Sequence, residues 1–211
     1  LYGGAGNDAT YGEDGMDRII GSTGSDLVYG GTAEDILDFS DYFTAITIDT
    51  DSNLTNDSQG NSTWFNDIEN FYGTAFDDAL YGRITDESVA IELNALNGDT
   101  RNYEYFRGNA GADIIDGRGG YDELSFSGAQ YGLTIDLALT TVDDGLGFTD
   151  TISNIEGVEA TDFNDSIYGT SRDNSLDGRL GNNYIDGRDG FDFVEYNGSG
   201  RTNLVLNLAT G

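Results

Sequence analysis

Acidic residues that return at every ninth position constrain this chain more than anything else in it. Starting at Gly3 it reads GGAGNDATY, GEDGMDRII, GSTGSDLVY and GGTAEDILD, which puts Asp8, Asp17, Asp26 and Asp35 at the sixth place of four consecutive nonapeptides. A second block begins at Gly73 with GTAFDDALY and GRITDESVA, breaks off, and resumes at Gly108 with GNAGADIID and GRGGYDELS. A third runs ATDFNDSIY, GTSRDNSLD, GRLGNNYID and GRDGFDFVE from Ala160. Self-similarity at a short fixed period marks a stacked repeat architecture, in which each repeat buries the apolar positions of its neighbours.

The blocks sit inside a larger module. Residues 39–72 and 126–159 are spacers of equal length, and they share Thr-Ile-Asp at 47–49 and 134–136 and Ile-Glu at 68–69 and 155–156. The step from Gly73 to Ala160 exceeds the step from Gly3 to Gly73 by the length of segment 91–107, so removing that segment makes the two modules equal. The chain therefore reads as one elongated unit over 1–211, with blocks at 3–38, 73–125 and 160–195, spacers at 39–72, 126–159 and 196–211, and an insertion at 91–107. It starts and stops in mid-pattern, as a segment of a longer protein would.

Each nonapeptide has a direct physical reading. Glycine at the first and fourth places permits a tight turn with carbonyls aimed inward. The sixth place adds a carboxylate. The eighth is apolar in Ile19, Val28, Leu37, Leu80, Val89, Ile115, Leu124, Ile167, Leu176, Ile185 and Val194, so a short strand there points one side chain into a thin core. One nonapeptide makes half a rung, and every second turn stacks on the same side. Stacking gathers carboxylate and carbonyl oxygens, a donor set for a hard divalent cation. Calcium suits flexible all-oxygen loops better than magnesium, which demands stricter octahedral geometry. With no His and no Cys in the chain, zinc would have only carboxylates and water.

These residues resemble the RTX (repeats-in-toxin) calcium-binding nonapeptide G-G-x-G-x-D-x-U-x, with U a large apolar residue, most closely in GGAGND and GNAGAD. The resemblance implies an all-β, right-handed parallel β-roll or β-helix solenoid with calcium between stacked turns, exported by type I secretion. Carried over residue by residue, it implies paired sites at Asp8 with Asp26 and Asp17 with Asp35, with turn glycines Gly4, Gly6, Gly15, Gly24 and Gly31. In the second block it pairs Asp78 with Asp113 and Glu87 with Asp122, beside Gly111 and Gly120. In the third it pairs Asp165 with Asn183 and Asn174 with Asp192, beside Gly181 and Gly190; each pair there has lost a charge and is expected to bind more weakly. Ala33 and Phe76 depart from the pattern at the fourth place, and Glu13 and Thr74 at the second.

Composition agrees. The formal charge is −30, from 39 acidic residues against nine Arg and no Lys, a self-repulsion that bound cations relieve. The same balance argues against a nucleic-acid partner, and no apolar run reaches membrane-spanning length. Paired carboxylates also occur in glycosidases, but positions repeated in every module do not resemble one active site. Ser and Thr have no His or Lys to activate them. The aromatics within the insertion (Tyr103, Tyr105, Phe106), and Tyr42, Phe43, Trp64 and Phe65, read as packing ahead of partner or carbohydrate binding. The expectation is a non-enzymatic, calcium-dependent structural or binding segment of a large secreted or cell-surface protein, of adhesin, surface-layer or exoprotein type, that folds on calcium after export. Its partners would be calcium ions, and neighbouring copies or other surface and matrix components. The alternative is an accessory carboxy-terminal region of a secreted polysaccharide-active enzyme or protease.

Overall fold

The computed structural model describes residues 1–84, 103–195 and 203–208, and all its regular structure is β. The chain steps back and forth between sheets. One sheet is parallel throughout and runs, in spatial order, β2 (Arg18–Ile20), β4 (Ile36–Asp38), β8 (Asn70–Tyr72), β10 (Tyr103–Arg107), β12 (Tyr121–Ser125), β16 (Gly157–Glu159), β18 (Ser175–Asp177) and β20 (Phe193–Glu195). The strands between these in sequence build a second sheet, ordered β1 (Ala9–Asp14), β3 (Leu27–Thr32), β7 (Ser62–Asn66), β6 (Leu54–Asp57), β5 (Ile46–Asp49), β9 (Ala79–Tyr81), β11 (Ile114–Asp116), β15 (Thr149–Ser153) and β14 (Thr141–Asp143). A third sheet follows with β13 (Thr134–Asp136), β17 (Ser166–Tyr168), β19 (Asn182–Arg188) and β21 (Asn203–Leu208), and β13 packs beside β14. Among the described residues no helix is long and apolar enough to cross a membrane.

Most strands are very short because only the end of each nonapeptide is extended, and the middle residue of each points inward. In the first sheet this aligns Ile19, Leu37, Phe71, Phe106, Leu124, Val158 and Leu176 in one row, each in register with the next. Val28, Phe65, Ile48, Leu80, Ile115 and Ile152 face them, and Ile135, Ile167 and Ile185 carry the facing row on. The Phe65 and Phe71 rings meet across the gap at 5.2 Å. The core is two side chains thick, so each rung depends on its neighbours for burial.

Two expectations need correction. The spacers depart from the all-parallel roll that the resemblance implies: β6 is antiparallel to both β5 and β7, and β14 is antiparallel to β15. A spacer is long enough to reverse direction twice, and Asp carboxylates cap the reversals, Asp49 Oδ1 accepting from Asp51 N and Asp57 Oδ1 from Gln59 N and Asn61 N. The insertion is also misplaced. Of 91–107, residues 91–102 lie outside the described residues, but 103–107 form β10, an integral strand paired with both β8 and β12. Phe106 is fully buried, its ring 6.0 Å from that of Phe71, and fills the slot assigned above to Val89, itself outside the described residues. The neighbouring aromatics are packing groups too: Tyr103 stacks on Tyr121 at 5.9 Å, and the Tyr105 hydroxyl bonds Glu159. Truncating a fully buried ring costs about 3–5 kcal/mol. Phe106→Ala is expected to lose that much in denaturant unfolding of the calcium-loaded chain, and an unchanged midpoint would show that β10 is not a rung.

Candidate metal sites

The turns that join the strands stack as the repeat requires. Every glycine assigned to a site, from Gly4 to Gly190, has φ between +91° and +128°. At Gly24 the need is steric as well as conformational, because a Cβ there would lie 2.0 Å from the Gly6 carbonyl oxygen of the turn below. Where the pattern departs, Glu13 and Ala33 are still held at φ +75° and +79°, a conformation that costs an ordinary residue about 1–2 kcal/mol.

The stacked turns line up their acids by one recurring bond, in which a backbone N–H donates to the carboxylate one turn on. Asp8 N donates to Asp26 Oδ1 at 3.0 Å, Asp17 N to Asp35 Oδ1 at 2.8 Å, and Asp78 N to Asp113 Oδ1 at 2.8 Å. Asp165 N reaches Asn183 Oδ1 at 2.9 Å and Asn174 N reaches Asp192 Oδ1 at 3.1 Å. Five pairs expected from the repeat are thus brought together. The sixth pair includes Glu87, which lies outside the described residues; the residue registered beside Asp122 is Glu104, both of them buried. Tyr103–Arg107 takes the rung, so Glu104 inherits the sixth place that the misplaced insertion had given to Glu87.

The columns also continue through the spacers. Asp35 N donates to Glu69 Oε2 at 3.0 Å, Asp122 N to Glu156 Oε2 at 3.2 Å, and Asp113 N to Asp150 Oδ1 at 3.0 Å. The Ile-Glu pairs at 68–69 and 155–156 were visible as a shared motif. Glu69 follows Asp35 by the same interval as Glu156 follows Asp122, and that was the signal that they belong to a column. Asp150 had no such signal, since its counterpart in the first spacer is Thr63.

The turns fall into two chemical kinds. Where the second place holds Ser or Thr, its hydroxyl bonds the sixth-place side chain: Ser22 to Asp26 (2.9 Å), Thr74 to Asp78 (2.9 Å), Thr161 to Asp165 (2.8 Å) and Thr170 to Asn174 (3.1 Å). The left-handed residue at that place is then unnecessary, and Thr74 stands within its turn without one. In four of the turns that lack the hydroxyl the carboxylate is left wanting. Among the described residues, the Oδ2 atoms of Asp8, Asp35 and Asp113 and both oxygens of Asp122 are buried with no hydrogen-bond partner.

A buried carboxylate in that condition must be neutralised by a proton or a cation. Burial raises Asp113 to about 8 and Asp78 to about 6, with neighbouring carboxylates adding to the effect in both. Burial also pushes Asp122 far up, together with the Glu104 charge, and raises Asp35, Asp165 and Asp192. Among the described residues no three acidic side chains form a finished cage. The set therefore fits an ion that completes its shell with backbone carbonyls and water, as calcium does with six to eight oxygens.

The comparisons agree with this geometry. A family model described as the RTX calcium-binding nonapeptide repeat matches in four copies, over residues 11–41, 105–124 and 159–194. No curated protein matches the chain.

Proposed function

We propose that this chain, which carries RTX calcium-binding nonapeptide repeats, is a calcium-dependent structural or binding segment of a large secreted or cell-surface protein, of adhesin, surface-layer or exoprotein type, and that it folds when calcium fills its stacked turns after export. Such repeats bind Ca²⁺ and are a structural, not a catalytic, family. The observation that carries the reading is the set of partnerless carboxylate oxygens on Asp8, Asp35, Asp113 and Asp122, buried at the turns where the repeat calls for a cation.

The mechanism follows from charge and core thickness. At −30, stacked carboxylates repel, while a core two side chains thick offsets little of the chain's conformational entropy. An ion that binds only the folded form stabilises it by mass action, and coupling between neighbouring rungs makes the response cooperative. Extracellular calcium modules work at roughly 10⁻⁴ to 10⁻³ M, so the sites would stay empty in a low-calcium cytosol and fill outside. In this reading the alternating sheets close into a right-handed roll as the ions enter.

The test is circular dichroism of the chain titrated with calcium at neutral pH, with magnesium at equal concentration as the control. A cooperative gain of β signal in calcium alone is expected. A full β signal in chelator would sink the reading.

A further inference from the structure

The two spacers, 39–72 and 126–159, are copies of one another, so the first serves as an internal reference for the second. In the first, Asp57 Oδ1 caps its turn by accepting from Gln59 N and Asn61 N. Its Oδ2 is satisfied by the Tyr42 hydroxyl at 2.7 Å and by Asn61 Nδ2 at 2.8 Å. The Tyr42 ring fills the space beside it, packed against Phe39. Nothing there needs an ion.

The second spacer keeps the cap and loses the partners. Asp144, the counterpart of Asp57, accepts through Oδ1 from Leu146 N (2.8 Å), Gly147 N (2.9 Å) and Phe148 N (2.9 Å). Its Oδ2 has no partner among the described residues, although the residue is only 3% exposed. Ala129 stands in place of Tyr42, Phe148 in place of Asn61, and Asp150 in place of Thr63. Both satisfying groups are gone, a further carboxylate has arrived, and where the tyrosine ring would lie there is a pocket lined by Phe126, Ala129, Asp144, Leu146 and Asp150.

Three buried acids now share one neighbourhood, since Asp113 N donates to Asp150 Oδ1 at 3.0 Å and the charges of Asp144 and Asp150 both bear on Asp113. Arg107 also lines the pocket, but its guanidinium bonds the Ser127 hydroxyl and lies 5.3 Å over the Tyr72 ring. We propose that the second spacer holds a divalent-cation site of its own, outside the nonapeptide turns, with Asp144 Oδ2 and the Asp150 carboxylate as its side-chain ligands and calcium as its ion. The shell is completed by carbonyls and water in the pocket, which the first spacer closes with Tyr42. The inference rests on the calcium reading of the chain for the identity of the ion.

The experiment counts bound ions per chain by native mass spectrometry at saturating calcium, in the whole chain and in three variants. Asp144→Asn keeps the turn-capping Oδ1 and removes the charge. Ala129→Tyr restores the first spacer's plug and its hydroxyl. Each is expected to bind one ion fewer than the parent, while Asp57→Asn, the control in the first spacer, loses none. A wild-type count in either folded variant overturns the proposal, and Ala129→Tyr decides the matter alone if Asp144→Asn does not fold. Absence of calcium from the parent chain would instead overturn the calcium reading itself, so the two failures are distinguishable.

Discussion

In the calcium-stripped chain, lowering the pH from about 8 to about 4 is expected to raise the β signal, with protons doing part of what calcium does. Asp113, Asp150 and Asp78 sit at about 8, 7 and 6 in the folded form, chiefly because burial penalises their charge, against about 3.9 for an unfolded Asp. Between those values the folded form binds more protons than the unfolded form. Its stability therefore rises as pH falls and levels off below the unfolded value. Each raised acid contributes fully below about pH 4 and has lost its contribution above its folded pKa, which sets the window from roughly 4 to 8. The calcium-loaded chain is expected to go the other way, because its ligands must be ionised and protons compete with the metal. Circular dichroism at fixed temperature across this range, with and without calcium, checks both signs. A calcium-free signal that is flat or falls on acidification would mean that the buried acids are not what holds the unliganded chain open.

The second large effect separates the two kinds of turn. Asp122 is buried with both oxygens partnerless beside Glu104, whereas Asp165 is held by the Thr161 hydroxyl and by the N–H groups of Leu133 and Thr161. Asp122→Asn is expected to raise the calcium midpoint for folding by about tenfold, equivalent to about 1.4 kcal/mol, and to increase the β signal in chelator, since it removes an unpaired buried charge. Asp165→Asn is expected to shift the midpoint by less than about threefold, because its oxygens already have donors. Ranking sites by Asp against Asn alone makes Asp26 a strong ligand; the Ser22 hydroxyl on its Oδ2 places it nearer to Asp165. Equal shifts for Asp122→Asn and Asp165→Asn in a calcium titration would show that hydroxyl capping has no bearing on calcium binding.

Much of this molecule is a matter of counting along the chain. A period of nine with glycines, an acid and one apolar residue dictates that every second turn stacks, that the core is thin and that carboxylates form columns, because each of those consequences is local or nearest-neighbour. The inward residues Ile19, Leu37, Leu80, Ile115, Leu124, Ile167, Leu176 and Ile185 are all buried as their place in the repeat demands. Counting could not say which of two segments of the right length fills a rung. Val89 and Phe106 both satisfy the excess length of the second module, and the choice fell to packing of the Phe106 ring beneath Phe71, a contact between strands far apart in sequence. Nor could it find the antiparallel turns of the spacers, which depend on pairing between strands that the period does not relate. The metal chemistry divides in the same way. Residue type and spacing put an acid at each turn, but whether that acid is free for a cation depends on what else reaches its second oxygen, a Ser or Thr hydroxyl, a tyrosine across the spacer or nothing, and only the folded arrangement of those groups decides it.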